Sequence, residues 1–379
     1  MHNHEGNVHV DGIARQGGGA TMARVSVVMA VYNAAKYLHE SVDSILSQTL
    51  RDLELIIVND ASTDASGEIL AAFDDPRIRV ITHTTNQGAA ASRNHALAAA
   101  RGDFVAIMDA DDISAPSRLE IQVGFLDSHP DIGLVGCAVY DNIDDQGSIL
   151  HTSYLPEDND TIQRTLVERW CFLHPSIMFR KEVYEQVGGY RNELEPAEDH
   201  DFILRVLDQH KAHNLPVKLV RYRINPKGLS VVGHDYIDAF GVAAIRLARQ
   251  RRQGRGEDLS GELDALMELK YKRKSLGFLG RAVTAWRDSY YASSRYYGFG
   301  CRELCAGNLR EARRSFARSL RANCLFVKSW ICLPLSLFPL LAERARFAFT
   351  ASLQHNEELK GHGTRFVEGG RARPPQSAN

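Results

Sequence analysis

Residues 24–60 read RVSVVMAVYNAAKYLHESVDSILSQTLRDLELIIVND, and three segments of different period lie inside them. Arg24–Val31 is an unbroken apolar, β-branched run, long enough for one strand buried on both faces. Ala34–Ser47 sets Tyr37, Leu38, Val42, Ile45 and Leu46 at helical spacing, and Leu53–Val58 is a second apolar run ended by Asn59 and Asp60. A strand, a helix and a strand joined by short connections predict a βαβ unit, hence a parallel sheet covered by helices.

The same alternation continues outward. Ser62–Phe73 reads as a helix, Ile78–Thr82 as a third strand, and Asn86 as the cap of a helix running through Ala100. Phe104–Met108 is a fourth buried strand that ends at Asp109. Such sheets bind ligands beyond the carboxyl ends of their strands, where the acidic residues of this chain gather. Further on, a helix from Pro116 to about Ser128 precedes a strand over Ile132–Tyr140, and Asp141–Asp160 reads as a polar surface loop. Trp170–Arg180, a Gly188-Gly189 break, a helix opened by Glu198-Asp199-His200-Asp201 and a closing strand over Lys218–Ile224 complete this part. After about Asp235 the chain turns to Arg-, Leu- and Ala-rich helices with no strand signal. The expected organisation is a disordered segment 1–22, an α/β domain 23–234, a helical region 235–359 and a disordered tail 360–379.

Of the 379 residues 44% are hydrophobic and 24% charged, which suits a globular chain with a real core. The formal net charge of -2 gives no sign of the strongly basic face that tracking a phosphate polymer needs, so no nucleic-acid partner is expected. Cys137, Cys171, Cys301, Cys305, Cys324 and Cys332 form no CxxC pair and read as free thiols of a reducing compartment. Residues 1–21 carry no apolar stretch of the kind a secretory signal needs, which predicts a cytoplasmic location. The apolar run Cys324–Leu341 is broken by Lys328, Pro334 and Pro339 and followed by Arg344 and Arg346. It reads as an interfacial segment giving peripheral contact with the inner face of the cytoplasmic membrane; a buried helical hairpin is the alternative.

Three acidic groups can carry chemistry. Asp109-Ala110-Asp111-Asp112 follows a buried strand, where clustered carboxylates repel unless a cation compensates. A hard ion such as Mn²⁺ or Mg²⁺ needs only one or two of them when a diphosphate supplies the other oxygens. A solvated turn capping the next helix is the competing account. Asp60 can accept hydrogen bonds from a nucleobase or ribose, or cap the helix that follows. Asp199 opens a helix whose dipole would keep it ionised, fit either for general-base work or for capping.

Taken in order, SVVMAVYNAAKYLHESVDSILSQTL, LELIIVNDASTDAS, NQGAAASRNHALAAARGDFVAIMDADD and AEDHDFILRVL resemble glycosyltransferase family 2 over roughly residues 24–225. The resemblance implies a GT-A fold, that is, a Rossmann-like, mostly parallel α/β sheet flanked by helices, here followed by an all-helical C-terminal region. It implies a nucleotide-sugar donor, usually a UDP-sugar, and a glycan or lipid-linked acceptor. Residue by residue, Ala30, Val31 and Tyr32 would form part of the nucleoside pocket and Asp60 would hold the base. Arg93 would reach the nucleotide, with a salt bridge to a nearby Asp as its rival role. Asp109 and Asp111 match the DxD acids, Asp111 as direct metal ligand and Asp109 nearer the ribose; Asp199 matches the catalytic base, with Glu198 beside it. His174 lies in the region facing the acceptor, where it either binds ligand or packs.

The QxxRW motif of processive members such as cellulose and hyaluronan synthases is absent after Glu198-Asp199, which points to transfer of a single sugar. One base and no evident covalent nucleophile point to single displacement with inversion, serving cell-surface polysaccharide synthesis. A sugar nucleotidyltransferase would need a Gly-rich, Arg-containing loop where this chain has Val31-Tyr32-Asn33-Ala34, and a dinucleotide oxidoreductase would need GxGxxG there. A non-catalytic sugar-binding protein is the remaining alternative, and retention of Asp60, Asp109, Asp111 and Asp199 together argues against it.

Overall fold

Val25–Val31 (β1) is buried along almost its whole length, between Leu53–Asn59 (β2) on one side and Phe104–Asp109 (β4) on the other, parallel to both. The computed structural model describes residues 23–167, 170–225, 234–274 and 309–322. Ile78–Thr82 (β3) continues the parallel set beyond β2, giving the order β3-β2-β1-β4. Because side chains alternate across a strand, each strand feeds two cores. Val27, Met29 and Ile57 pack on one face with Val42 and Ile45 of Leu38–Leu46 (α1). Val28, Ile56 and Ile107 pack on the other with Ala90, Ala96 and Leu97 of Ala89–Ala99 (α3). Each such side chain, fully buried, stabilises the fold by roughly 1.5–3 kcal/mol, and Ile57→Ala would cost about 2–5 kcal/mol through the cavity left behind. The alanines of α3 have little side chain to hold it off the sheet, so the helix lies close on β1 and β2.

The second half of the sheet is mixed. Met178–Arg180 (β8) runs antiparallel on β4, Ile132–Ile143 (β6) runs antiparallel on β8, and Lys211–Arg223 (β9) lies parallel to β6. Ile113–Ser114 (β5) pairs with β9, and Ile149–Tyr154 (β7) folds back on β6 as a hairpin. Ser66–Ala71 (α2), Arg118–Ser128 (α4), Asn159–Thr165 (α5), Lys181–Val187 (α6) and Glu198–Leu207 (α7) make the connections.

The α/β class with a mostly parallel sheet flanked by helices is as the sequence predicts, but three local expectations fail. Residues 141–160 are not a surface loop. They hold the end of β6, all of β7 and the start of α5, and Asp141, Asn142 and Asp144 are buried. Their polarity is met by partners the sequence does not place beside them, such as Lys218 Nζ and Thr152 Oγ1 on Asp141 Oδ1. Asn86 does not cap α3; the cap position is Gly88. The closing strand begins at Lys211, seven residues before the apolar signal, because its register is set by β6.

The chain divides into two compact units, Met1–Tyr291 and Ala292–Asn379. In the first, helix His234–Arg252 packs Ala243 and Leu247 against Leu194 and against Leu266 of helix Leu259–Lys274. In the second, Leu309–Ala322 is a helix with Phe316 buried. The segments 1–22, 324–341 and 360–379, on which expectations of disorder and membrane contact rest, lie outside the described residues. Among the described residues no helix is long and apolar enough to cross a membrane.

Candidate active site

The parallel register decides what shares one edge of the sheet. Ala30 pairs with Val58 and with Asp109, and Val31 with Asn59, so the ends of β1, β2 and β4 stop together. A cleft of about 810 Å³ opens there, and Ala30, Val31, Tyr32, Asp60, Arg93, Asp109 and Asp111 all line it. Tyr32 leaves 52% of its surface exposed.

The turn after β1 is pinned to the turn after β2. Asn33 N–H donates to Ser62 Oγ at 3.0 Å and Ala34 N–H to Ser66 Oγ at 3.0 Å. Asn33 Oδ1 in return accepts from Thr63 N–H at 2.8 Å. Asn33 and Ala61 sit at φ 50° and 54°, a region that side-chain-bearing residues enter rarely and that clusters at functional turns. The β6–β7 hairpin closes over this turn, since Asp145 accepts from Lys36 Nζ at 2.8 Å and from Tyr37 Oη at 2.7 Å.

Asp60 does not cap the helix after it, which starts only at Ser66. Its carboxylate turns instead to the start of α3, accepting from Gln87 N–H at 2.8 Å and Gly88 N–H at 2.9 Å, and contacts His83 Nδ1 at 2.7 Å. Glu195 Oε2 takes Ala90 N–H at 3.2 Å, so two distant carboxylates cover this helix N-terminus. Gly88 is required between them. Its φ is +92°, and a Cβ there would lie 2.5 Å from Glu195 Oε2.

The acidic turn after β4 is not a solvated cap. Asp112 is buried: Oδ1 accepts Arg223 N–H at 2.7 Å, while Oδ2 has no hydrogen-bond partner. Burial, reinforced by Asp111 and Asp109, holds its carboxyl well above the usual range. Burial and the charge of Asp109 push Asp111 up to about 6, with Asn225 Nδ2 at 3.4 Å from Oδ2. Arg223, buried over the ring of Tyr37, donates to the main-chain oxygens of Asp111 and Asp144, both at 2.8 Å, and to Glu40 at 2.6 Å.

Arg93 ties this turn to the start of α7. Its guanidinium donates to Asp109 Oδ1 at 3.1 Å and to Glu198 Oε1 at 2.6 Å, and lies 5.8 Å from the Tyr190 ring. The salt bridge to a nearby Asp is therefore present. Glu198 Oε2 is buried without a partner. Asp199 is partly exposed, and burial followed by the charge of Glu198 holds its carboxyl above the ordinary range. Desolvation and the like charge next door thus act against the helix dipole and make Asp199 a stronger base once ionised. Glu198, Asp199 and His174 are not among the residues lining the cleft. His174 packs in the core, 3.0 Å from Tyr190 Oη, and burial drives its imidazole well below the usual value.

His83, Glu195, Arg223, Lys36 and Asp145 escape a reading of the sequence. Only Arg223, a charge near the end of a strand, carries a local signal.

Residues 26–188 match the model of glycosyl transferase family 2. The chain is 38% identical over 208 residues to EpsE of Bacillus subtilis strain 168, whose name places it among glycosyltransferases; the match covers 53% of this chain and 73% of that one. It is 38% identical over 207 residues to the glycosyltransferase MJ1057 of Methanocaldococcus jannaschii, covering 53% and 70%. It is 34% identical over 208 residues to the O-antigen biosynthesis glycosyltransferase WbnJ of Escherichia coli, covering 54% and 80%.

Proposed function

The chain belongs to glycosyltransferase family 2, and from that premise we propose that it moves one sugar from a nucleoside-diphosphate donor, a UDP-sugar, to a hydroxyl of a glycan or lipid-linked acceptor, with inversion and with a divalent cation. One observation carries this reading: Tyr32, Asp60, Asp109 and Asp111 meet in a single cleft at the carboxyl edge of β1, β2 and β4. Tyr32 offers an exposed aromatic face and Asp60 an acceptor for a nucleobase.

The residues present fit a divalent cation. Asp111, held up to about 6 beside Asp109, and the orphaned Asp112 Oδ2 are the signs of negative charge packed without enough compensation. Among the described residues no group of three His, Cys, Asp or Glu is poised to hold an ion. Asp109 and Asp111 would therefore hold Mn²⁺ or Mg²⁺ together with phosphate oxygens of the donor. A cation bound there neutralises the leaving diphosphate, a Lewis-acid role contributing several kcal/mol.

The rest falls to the chain itself. Arg93 holds Asp109 and Glu198 in fixed relation, so the donor and acceptor sides are braced by one guanidinium. Asp199, adjacent to Glu198, takes the acceptor proton during attack, a contribution of roughly 10²- to 10⁴-fold. Similarity to an O-antigen biosynthesis enzyme favours cell-surface polysaccharide as the destination. The apolar run 324–341 favours an acceptor at the membrane. A sugar nucleotidyltransferase is disfavoured by the turn after β1, which has neither the glycines nor the arginine that class needs.

The experiment is a thermal-shift screen of nucleoside diphosphates and nucleotide sugars with and without Mn²⁺, followed by detection of UDP released from the stabilising donor. A ligand bound only by the native state raises its apparent stability. If no nucleotide shifts the transition and no donor yields nucleoside diphosphate, the proposal fails.

A further inference from the structure

Behind Asp60 lies a chain of contacts that neither base binding nor helix capping needs. His83, just beyond β3, sets Nδ1 2.7 Å from Asp60 Oδ1, and its Nε2 lies 2.6 Å from Nδ1 of His95 on α3. The two rings meet edge to face at 89°, with centroids 4.7 Å apart. His83 is buried and fixed by its own N–H on the Asn59 carbonyl at 2.9 Å, whereas His95 is half-buried. The array therefore runs from the cleft, through the interior, toward solvent.

Hydrogen-bond logic limits its proton states. A carboxylate only accepts, so His83 Nδ1 carries a proton. One further proton must lie between His83 Nε2 and His95 Nδ1, on either ring, to join nitrogens 2.6 Å apart. The remaining site is His95 Nε2. With it filled, the two imidazoles carry one positive charge, which offsets Asp60. With it empty, they are neutral and Asp60 keeps its full charge, and no hydrogen bond of the array has been broken. The charged groups acting on His95 are its own partners, Asp60 from the end of β2 and His83 from beyond β3; Glu195 reaches the same helix at Ala90.

We propose that His83 and His95 are positioning residues for the donor base, a shared-proton pair that aims Asp60 and sets its charge toward the nucleobase. The proposal rests on the reading of Asp60 as the residue facing that base. His83 holds the carboxylate in place from behind, while His95 exchanges the proton that decides how strongly Asp60 attracts a nucleobase N–H. Loss of the proton at His95 Nε2 strengthens base binding, and its return weakens it.

Uridine without metal is the probe, since it removes phosphate titration; the Asp111 carboxyl titrates in the same cleft in wild type and variants alike, so the difference between them reads the pair. Ring-nitrogen shifts of the full chain, followed by NMR from pH 5 to 8.5, should show His83 and His95 moving together in a single step. Uridine affinity should fall about three- to tenfold as pH drops through that step. His95→Asn, whose amide can still donate to His83 Nε2, should bind uridine at the high-pH strength throughout. His83→Asn, whose amide can still donate to Asp60, should bind it with no pH dependence from the pair. A wild-type pH slope retained in His95→Asn overturns the proposal, as do two imidazoles that titrate separately in the wild type. If the joint step appears but uridine does not bind at any pH, Asp60 does not face the base. The role given to the pair then falls with the donor reading, although the shared proton stands.

Discussion

Arg223 Nε donates to the main-chain carbonyl of Asp111 at 2.8 Å, so the last residue of β9 fixes the acidic turn after β4 from 112 positions away. The same guanidinium serves Asp144 and Glu40. A buried Arg spread over three acceptors has no equivalent in Lys, which offers a point charge rather than a fork. Arg223→Met should therefore lose about 3 kcal/mol, because buried carbonyls are left without donors, and Arg223→Lys should recover little of it. Urea unfolding measures this, and a loss under about 1 kcal/mol in Arg223→Met would show that the turn holds its shape unaided.

Asp111 is read as a metal ligand, and a protonated carboxyl cannot serve as one. Its folded-state value is raised to about 6 rather than lowered, so Mn²⁺-dependent UDP binding should weaken as pH falls through about 6, earlier than an ordinary aspartate would impose. Asp111→Asn should abolish the Mn²⁺-dependent part of UDP binding at every pH while the fold is kept. Calorimetry with UDP decides this; affinity unchanged by the substitution would remove Asp111 from the metal site.

Asp199→Asn should keep donor binding and lose roughly 10²-fold or more of transfer. A base works only when ionised. Because burial and Glu198 hold this carboxyl above the normal range, the rate should climb with pH and be lost as pH falls through that raised value. Initial rates against pH, compared with UDP affinity, separate the two effects. Retention of more than about a tenth of the wild-type rate would reassign Asp199 to a structural part at the start of α7.

The apolar run Cys324–Leu341, followed by Arg344 and Arg346, predicts attachment to anionic vesicles. Apolar burial contributes about 25 cal/mol per Å² and each basic residue at the surface about 1 kcal/mol. Salt should therefore weaken attachment without ending it. A chain cut before Leu320 should stay in the supernatant under conditions where the full chain sediments with vesicles. If neither sediments, the run belongs to a core.

The first half of the sheet is legible because β1 to β4 are each written locally as a short, largely apolar run, those of β2 and β4 closed by Asn59-Asp60 and Asp109. The register that brings those ends together follows from parallel pairing. The second half is written across the chain. The two-residue β5, the hairpin strand Ile149–Tyr154 and the first residues of β9 exist because β6 and β9 offer them edges, so no periodicity announces them. The site divides in the same way. Asp60, Asp109, Asp111 and Asp199 stand out as acids at element ends. What surrounds them does not: His83 and Arg223 gain their meaning from contacts, and burial beside Glu198 raises the Asp199 carboxyl against the pull of its helix dipole.

The contacts that close the cleft have a consequence for how the protein comes into being. Arg93 to Glu198 and Ala90 to Glu195 each span 105 positions, and Arg223 to Asp111 spans 112, whereas β1, β2, β3 and β4 are linked by nearer neighbours. Closing long loops is entropically costly and slow, so short-range βαβ units are favoured to assemble first on a ribosome that releases the N-terminal part earliest. Until residue 223 has emerged, Asp109, Asp111 and Asp112 stand side by side without the guanidinium that orders their turn. A nascent chain should thus hold a recognisable half-sheet well before it gains any affinity for a nucleotide.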